Sequence, residues 1–253
     1  MYATYPSLRD RVVLISGGAT GIGASLVEAF AAQGSQVAFL DLQSDPAQAL
    51  AERCASAGAP RPLFLPCDLT DISAAQAAIR SVLDRHRTID VLVNNAGNDT
   101  RHAFADVTPS DFDRILAVNL RHQFFLTQAV APAMRSARRG SIVNMSSISW
   151  VIPSTGLPVY VTAKAAIVGL TRTLARELGQ DNIRVNAVLP GAILTERQRR
   201  LWLTPEYEAE VLAAQSLKRL IQPDEVARLV LFLAADDSSA ITGQSHIIDA
   251  GWV

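Results

Sequence analysis

A phenol and an ammonium group stand four residues apart in this sequence, at Tyr160 and Lys164. In a helix this spacing places both side chains on one face. A free tyrosine has a pKa of about 10, too high for a base near neutral pH, and a neighbouring ammonium lowers that pKa. A phenolate can take the proton of an alcohol while hydride leaves the same carbon. Ser147, at the end of a strand-like run, can hold the alcohol oxygen, so the three side chains predict a site that interconverts an alcohol and a carbonyl.

Tyr and Lys at this spacing are common on exposed helices, so the prediction needs a second motif. The first strand-like run leads into Ser16-Gly-Gly-Ala-Thr-Gly-Ile-Gly23, and a helix pattern begins inside it. Glycines allow a tight turn and a close approach of backbone to a pyrophosphate, whose charge is met by N–H groups at the helix N-terminus. The spacing differs from GxGxxG, and no Gly-Lys-Ser/Thr follows, which argues against a P-loop. The motif predicts a bound dinucleotide, and the positive ring of an oxidised nicotinamide would lower the pKa of Tyr160 further.

Asp41 ends the second strand-like run, 18 residues after Gly23. An acidic residue at about this distance contacts the adenosine ribose in dinucleotide folds. A carboxylate there accepts hydrogen bonds from both ribose hydroxyls and repels a 2′-phosphate, so NAD is favoured over NADP. The alternative is that Asp41 only ends a strand, as Asp often does. Asp68 closes the third run and either faces the adenine or caps the helix before Ile72.

Short apolar runs alternate with helix-period segments along the chain. Their nearly continuous apolar character is typical of strands covered on both faces. The runs are 12–16, 36–40, 63–67, 91–94, 141–145, 184–189 and 244–248. This order predicts one α/β domain over residues 1–253, a doubly wound parallel sheet of about seven strands with helices on both faces. The longest irregular stretch, from Pro190 to about Pro205, predicts a substrate lid around residues 191–215.

The loop before the reactive helix is marked by Pro153, Gly156 and Pro158, and the helix pattern begins after Val159. The candidate chemical groups follow six strand ends, which meet at the carboxyl edge of a parallel sheet, where ligands bind.

The composition bounds the class of protein. Of 253 residues 49% are hydrophobic, ample for a large core, and a net charge of −1 gives no attraction to nucleic acid or anionic lipid. The two cysteines form no CxxC pair, and the four histidines are too scattered for a metal site of local spacing. No signal-peptide core or membrane-spanning run is present in the sequence, so we expect a cytoplasmic protein without a metal.

Taken together, the glycine turn, Asn94-Asn-Ala-Gly97, and a serine 13 residues before the YxxxK pair resemble the short-chain dehydrogenase/reductase family, and the match runs from Val12 to Val253. Ser16 stands where the family usually has Thr, and the hydroxyl is retained. The resemblance implies a catalytic tetrad of Asn119, Ser147, Tyr160 and Lys164, with Asn119 holding a water that leads to Lys164. It also implies a cofactor set, with Ile193 and Thr195 at the nicotinamide carboxamide. That set is Gly17, Thr20, Gly21, Ile22, Gly23, Asp41, Leu42, Asp68, Leu69, Asn95, Ala96, Gly97, Tyr160, Lys164, Pro190, Gly191, Ile193 and Thr195.

Four stretches, beginning at Asn98, Val118, Ser147 and Asp249, resemble those of bacterial NAD-dependent aldose 1-dehydrogenases of the D-xylose type. Relatives of this type act on L-arabinose, D-galactose and L-fucose. The resemblance implies oxidation of the anomeric C1 hydroxyl of a pentose, hexose or 6-deoxyhexose to the lactone, and a homotetramer built partly through the helices after Asn119 and around Lys164. The candidate substrate residues are Asn98, Asp99, His102, Ser147, Ser149, Trp150, Thr155, Tyr160, Gln198 and Trp202, with the two indoles able to stack on a sugar face.

Other functions stay open at this point. Three arginines in residues 196–200 (ERQRR) are able to bind a carboxylate substrate such as a keto-deoxy sugar acid, but a solvated helix face on which they pair with Glu196, Glu206 and Glu208 is the favoured explanation. A 3-oxoacyl reductase using NADP would need a basic residue near the glycine turn, and a steroid enzyme an apolar lid. A nucleotide-sensing scaffold without turnover could lose Tyr160 or Lys164, and both are present.

Overall fold

A computed structural model describes residues 3–152 and 154–253 of the chain. Pro153, which the sequence analysis places in the loop before the reactive helix, lies outside the described residues. Within them, seven strands form one parallel sheet. The strands are β1 Val12–Ser16, β2 Gln36–Asp41, β3 Leu63–Pro66, β4 Val91–Asn94, β5 Gly140–Met145, β6 Ile183–Pro190 and β7 Ser245–Ile248. The predicted strands are confirmed, with ends that differ by one residue at most.

The strand order in the sheet is β3-β2-β1-β4-β5-β6-β7. The chain moves outward from β1 to β3, returns to pair β4 with the other side of β1, and then moves outward to β7. Ser16 aligns with Leu40 on one side and with Asn94 on the other. The reversal opens a crevice beyond the carboxyl ends of β1 and β4, the place where such sheets bind ligands.

Helices cover both faces of the sheet because alternate strand residues need cover on each. Val13 and Ile15 of β1 pack into one core with Phe30, whereas Leu14 packs into the opposite core with Val130. The helices are α1 Gly21–Ala32, α2 Ser44–Ser56, α3 Ile72–His86, α4 Pro109–Leu116, α5 His122–Ala137, α6 Pro158–Leu178, α7 Glu196–Leu201, α8 Pro205–Ala214 and α9 Pro223–Ala234. The predicted single-domain, doubly wound α/β fold is confirmed.

One local prediction is wrong, and one of the two alternatives for Asp68 is excluded. The stretch after Pro190 contains α7 and is not irregular throughout: the Thr195 side chain accepts a hydrogen bond from the Gln198 N–H and caps the helix. Asp68 does not cap α3 either. Asp71 does, accepting from the N–H groups of Ser73 and Ala74.

A π-helical turn, Ala117–Arg121, joins α4 to α5. Such turns are rare and often occur at functional sites. Asn119 lies in this turn and is fully buried. The turn therefore aims an amide side chain at the space behind β4, where the loop after that strand begins.

None of the helices in residues 3–152 and 154–253 has the length and apolar composition that a bilayer crossing requires.

Candidate active site

The glycine turn after β1 has the backbone that its sequence predicts. Gly17 and Gly21 have φ values of 67° and 57°, a region that favours glycine. A Cβ on Gly17 would lie 2.8 Å from the Cα of Ala96, so the turn packs directly on the loop after β4. Within the described residues the Thr20 side chain makes no capping hydrogen bond to α1. The N–H groups of the first helical turn are thus left for an anionic ligand.

Ser16 and Asn95 hold this turn in place. The Ser16 hydroxyl accepts hydrogen bonds from the N–H groups of Asn95 and Ala96, at 3.0 and 3.1 Å. In return, the Asn95 side-chain amide donates to the carbonyl oxygens of Ser16 and Gly17, at 3.1 and 2.8 Å. The serine hydroxyl at position 16 therefore has a structural use, and Asn95 supports the glycine turn from the neighbouring loop.

The Asp41 carboxylate is fixed at the end of β2 by two backbone hydrogen bonds. Its Oδ2 accepts from the N–H of Ala19 at 2.9 Å, and its Oδ1 accepts from the N–H of Gln43 at 3.0 Å. Asp41 is buried, and it borders the same crevice as the glycine turn. Asp41 is therefore more than the end of a strand, because it ties the glycine turn to the end of β2.

A cleft of about 480 Å³ runs along the carboxyl edge of the sheet. Every residue of the cofactor set predicted from the resemblance borders it. Seven further residues that the sequence analysis assigned to neither the cofactor nor the catalytic or substrate set also line it: Gln43, Cys67, Val118, Met145, Ser146, Glu196 and Arg197. Most of these are direct chain neighbours of predicted residues, so extending each motif by one position would have found them.

Ser147, Tyr160 and Lys164 meet at one end of this cleft. Lys164 is buried, and its Nζ donates a hydrogen bond to the Met145 carbonyl oxygen at 2.9 Å. The Ser146 hydroxyl donates to the Lys164 carbonyl oxygen at 2.7 Å, which fixes α6 against the end of β5. The Ser147 Oγ accepts a hydrogen bond from the N–H of Ser149 at 3.1 Å, and it is close enough to the Tyr160 hydroxyl to lower the pKa of that phenol. All three side chains therefore line the same cleft.

The predicted lowering of the Tyr160 pKa does not occur in the chain alone. Burial raises the pKa of the Tyr160 phenol well above its usual value, the Asp99 carboxylate raises it further, and the Ser147 hydroxyl lowers it. Burial also lowers the pKa of Lys164 to about 8, against the opposing effect of Asp99. The Lys164 Nζ donates to the Met145 carbonyl and lies 5.4 Å from the centroid of the Tyr160 ring. At this distance the ammonium does not offset the increase in the Tyr160 pKa that burial of the phenol causes.

Asn119 does not line the cleft but supports the loop that does. Its Oδ1 accepts from the N–H of Asn98 at 2.8 Å, and its Nδ2 donates to the carbonyl oxygens of Asn98 and Ile115 at 3.1 and 3.0 Å. A Cβ on Gly97 would lie 3.1 Å from the Asn119 Oδ1 and 3.2 Å from the Lys164 Nζ. The side chains of Asn119 and Lys164 thus both pack against Gly97, where a larger residue would collide with them.

The candidate substrate residues divide into two groups. Those that border the cleft are Asn98, Asp99, Ser147, Tyr160 and Gln198. Those that do not are His102, Ser149, Trp150, Thr155 and Trp202. The guanidinium of Arg101 lies 4.6 Å from the centroid of the Trp202 ring and covers one of its faces, and Trp150 is partly exposed. The structure therefore does not bring the two indoles to the cleft.

Helix α7 is joined to the loop after β4 by side chains that sequence reasoning did not pair. The Arg197 Nε donates to the Asp99 Oδ1 at 3.1 Å, and its Nη2 donates to the Asn98 Oδ1 at 3.1 Å. The Gln198 Nε2 donates to the Asp99 Oδ2 at 2.9 Å. Of the arginines in residues 196–200, Arg197 therefore pairs with Asp99, whereas Arg199 and Arg200 are exposed.

The donors of the cleft suit a dinucleotide. An unblocked helix start faces the glycine turn, a fixed carboxylate stands at the end of β2, and a phenol, an ammonium and a hydroxyl stand at the far end. In the described part of the chain, no cluster of His, Cys, Asp or Glu side chains is suited to a metal ion.

The family described as Enoyl-(Acyl carrier protein) reductase matches residues 17–253. The chain is 51% identical to a probable galactose dehydrogenase of Rhizobium meliloti, over 98% of this chain and 96% of that protein. It is 50% identical to a D-xylose 1-dehydrogenase of Caulobacter vibrioides, over 99% and 98%. A 3-oxoacyl-[acyl-carrier protein] reductase with bound NAD from Brucella melitensis superposes with a TM-score of 0.89 and 36% identity, over 98% of this chain and 94% of that one.

These likenesses extend over nearly the whole length of each protein. The chain therefore belongs to the short-chain dehydrogenase/reductase family of NAD(P)-dependent oxidoreductases.

Proposed function

We propose that the chain oxidises the anomeric C1 hydroxyl of an aldose to its lactone, with hydride transfer to NAD. The observation that carries this proposal is the meeting of Ser147, Tyr160 and Lys164 with a polar wall of Asp99 and Gln198 at one end of the cleft. Identity of 50–51% to relatives named as D-xylose and galactose dehydrogenases supports a sugar as the alcohol.

In this reaction Tyr160 takes the proton of the C1 hydroxyl, and Ser147 holds the substrate oxygen beside it. Bound NAD would supply the hydride acceptor, so that the C1 carbon, having lost its hydride and its hydroxyl proton, becomes the carbonyl carbon of the ring ester. Lys164 binds the cofactor ribose and places its charge near the phenol. Burial raises the Tyr160 pKa in the chain alone, and the positive ring of bound oxidised NAD would favour the phenolate.

Asp41 favours NAD over NADP. Its carboxylate is held at the end of β2, in position to accept hydrogen bonds from the adenosine ribose hydroxyls. The 2′-phosphate of NADP would meet this buried negative charge, with Leu42 rather than a basic residue next in the chain.

The segment from 191 to 215 acts as a lid over the substrate in this proposal. It begins with the cleft residues Gly191, Ile193 and Thr195 and continues through α7, which is tied to the opposite loop by Arg197 and Gln198. A polar lid suits a hydroxyl-rich substrate better than a steroid or an acyl chain.

We also propose a homotetramer. The surface formed by α4, α5 and α6 carries an apolar depression that includes Leu120, Phe124, Phe125, Ala166 and Leu170. Phe124 is 43% exposed, which is unfavourable for a large apolar side chain unless another copy covers it. Sedimentation velocity of the purified protein tests this, and a monomer at micromolar concentration would contradict it.

The test of the activity is a panel assay that follows NADH absorbance with NAD and D-xylose, L-arabinose, D-galactose and L-fucose. We expect at least one of these sugars to be oxidised, with a lactone as the product. Oxidation of none of them, together with NADPH-dependent reduction of acetoacetyl-CoA, would favour a 3-oxoacyl reductase instead. Binding of NADH without turnover of any substrate would favour a nucleotide sensor.

A further inference from the structure

The carboxylate of Asp99 stands at the substrate end of the cleft and is held in a fixed orientation. One oxygen accepts from the Arg197 Nε at 3.1 Å and the other from the Gln198 Nε2 at 2.9 Å. A carboxylate has about four acceptor positions, so these two hydrogen bonds leave others free. The Asp99 side chain is 26% exposed and borders the cleft. A substrate in the cleft can therefore reach an acceptor that is already oriented.

The negative charge of Asp99 is close enough to Tyr160 and Lys164 to shift the pKa of each. It raises the pKa of Tyr160 and opposes the lowering of the Lys164 pKa. Asp99 is thus the carboxylate that faces both members of the pair from the loop after β4. A further titratable neighbour of this centre is on α5: His122 is close enough to Lys164 for the ammonium to lower its pKa, and it is neutral near pH 7.

A fixed negative charge beside the reacting carbon has opposite effects on two classes of alcohol. A neutral sugar brings only hydroxyl donors, which a carboxylate accepts. A sugar acid brings a second negative charge close to this carboxylate, and like charges repel. The Arg197 guanidinium offsets part of the Asp99 charge, but its Nε and Nη2 already donate to Asp99 and Asn98, which leaves fewer donors for a second carboxylate.

We propose that Asp99 determines substrate specificity, accepting a hydrogen bond from a hydroxyl of a neutral sugar and excluding sugar acids, and that Arg197 and Gln198 of α7 are positioning residues for it. This inference rests on the proposed aldose oxidation and narrows its substrate class. Of the three arginines of α7, Arg197 then holds Asp99, and Arg199 and Arg200 do not border the cleft, so none of them is the proposed binding group for a substrate carboxylate.

Two sugars that differ at C6 alone test the inference: D-galactose, with a neutral C6 hydroxymethyl group, and D-galacturonate, with a carboxylate. We expect the unmodified protein to prefer D-galactose in kcat/KM by at least about tenfold. Asp99→Asn should raise the KM for D-galactose about tenfold, because one strong acceptor is lost, and should reduce the preference over D-galacturonate by about the same factor. The exposed Asp106, on the same loop, supplies the matched control Asp106→Asn, which should change neither value.

Arg197→Met separates positioning of Asp99 from anion binding. If Arg197 only positions Asp99, this variant raises the KM for D-galactose and still excludes D-galacturonate. A loss of activity confined to D-galacturonate would overturn the inference, because Arg197 would then bind the substrate anion.

The pH profile of kcat/KM gives a readout that a purely structural role would not change. Tyr160 acts as a base, so activity falls below its pKa, and Asp99 raises that pKa. Asp99→Asn should therefore move the acidic limb to lower pH, and Asp106→Asn should leave it in place. NADH binding and the thermal unfolding midpoint show that each variant is folded.

An unchanged sugar preference in a folded Asp99→Asn protein overturns this inference and leaves aldose oxidation standing. Failure of the unmodified protein to oxidise any neutral aldose overturns both proposals.

Discussion

The Lys164 Nζ lies 5.4 Å from the centroid of the Tyr160 ring and donates its hydrogen bond to the Met145 carbonyl oxygen instead of to the phenol. The ammonium therefore lies beside the phenol ring without a direct hydrogen bond to the hydroxyl. The ammonium is held by the last residue of β5, and the phenol borders the cleft. The pKa of Tyr160 therefore depends on the charge of the ligand that occupies the cleft.

Replacing Tyr160 with Phe tests the proton acceptor. Tyr160→Phe keeps the ring but removes the acceptor, so kcat should fall about 10²–10⁴-fold. NADH binding, measured by fluorescence titration, should stay within about twofold. Tyr5→Phe, at a partly buried tyrosine on the α1 side of the sheet, is the control and should retain full activity. Normal turnover by the Tyr160 variant would place the base on another residue.

Replacing Asp41 tests the choice of cofactor. Asp41→Asn removes the negative charge and retains a hydrogen-bonding oxygen, so use of NADP should rise while use of NAD falls modestly. Asp41→Ala also removes the acceptors for Ala19 and Gln43 and should weaken both cofactors by loosening the glycine turn. The measurement is kcat/KM for each cofactor at saturating sugar. Equal use of NAD and NADP by the unmodified protein would contradict the role of Asp41.

The buried His122 makes stability depend on pH. Burial, followed by the charge of Lys164, lowers the His122 pKa from 6.5 to about 3. Between these values the unfolded chain binds a proton that the folded chain does not, so stability is complete above the unfolded pKa and decreases as pH falls. The slope reaches about 1.4 kcal/mol per pH unit for one such group.

Urea unfolding at several pH values between 7 and 5 measures this slope. His122→Gln, which cannot take up the proton, should flatten it. His86→Gln is the control and should change it less, because His86 is only partly buried and the shift in its pKa is smaller. An unaltered slope in His122→Gln would mean that other groups carry the acid sensitivity.

Replacing Gly23 tests the packing of the glycine turn. A Cβ on Gly23 would collide with the Gly17 carbonyl oxygen and lie 2.8 Å from the Asn95 Nδ2. Gly23→Ala should destabilise the fold by about 1–3 kcal/mol and weaken NADH binding at least about tenfold. Gly179, exposed at the end of α6 with φ of −60°, is the matched control, since no atom in the described residues lies within 4 Å of its added Cβ. Equal effects of the two substitutions would contradict the steric account.

Features set by local sequence could be predicted. The strands follow from unbroken apolar runs such as Val12-Val-Leu-Ile15, which need cover on both faces. The position of Asp41 follows from the length of one strand–helix–strand unit. These features depend on short-range periodicity and on turn chemistry, which one sequence displays directly.

Features set by contact between distant segments could not be predicted. Asp99 and Arg197 are 98 residues apart, and neither has a pattern that names its partner. The π-helical turn at Asn119 interrupts no apolar period that would reveal it. The raised pKa of Tyr160 was missed because the sequence shows a nearby ammonium but does not show how deeply the phenol is buried.

The π-helical turn between α4 and α5 also restricts how this chain can change in length. An α-helix rotates by about 100° per residue, so deleting the extra residue at 117–121 would swing Asn119 to another side of the helix and turn every later α5 side chain with it. Loops elsewhere on the surface can gain or lose residues at a small cost in stability, but losing one residue from this turn would rotate the whole of α5. Random deletion libraries should therefore recover few active clones with breakpoints between Ala117 and Arg121.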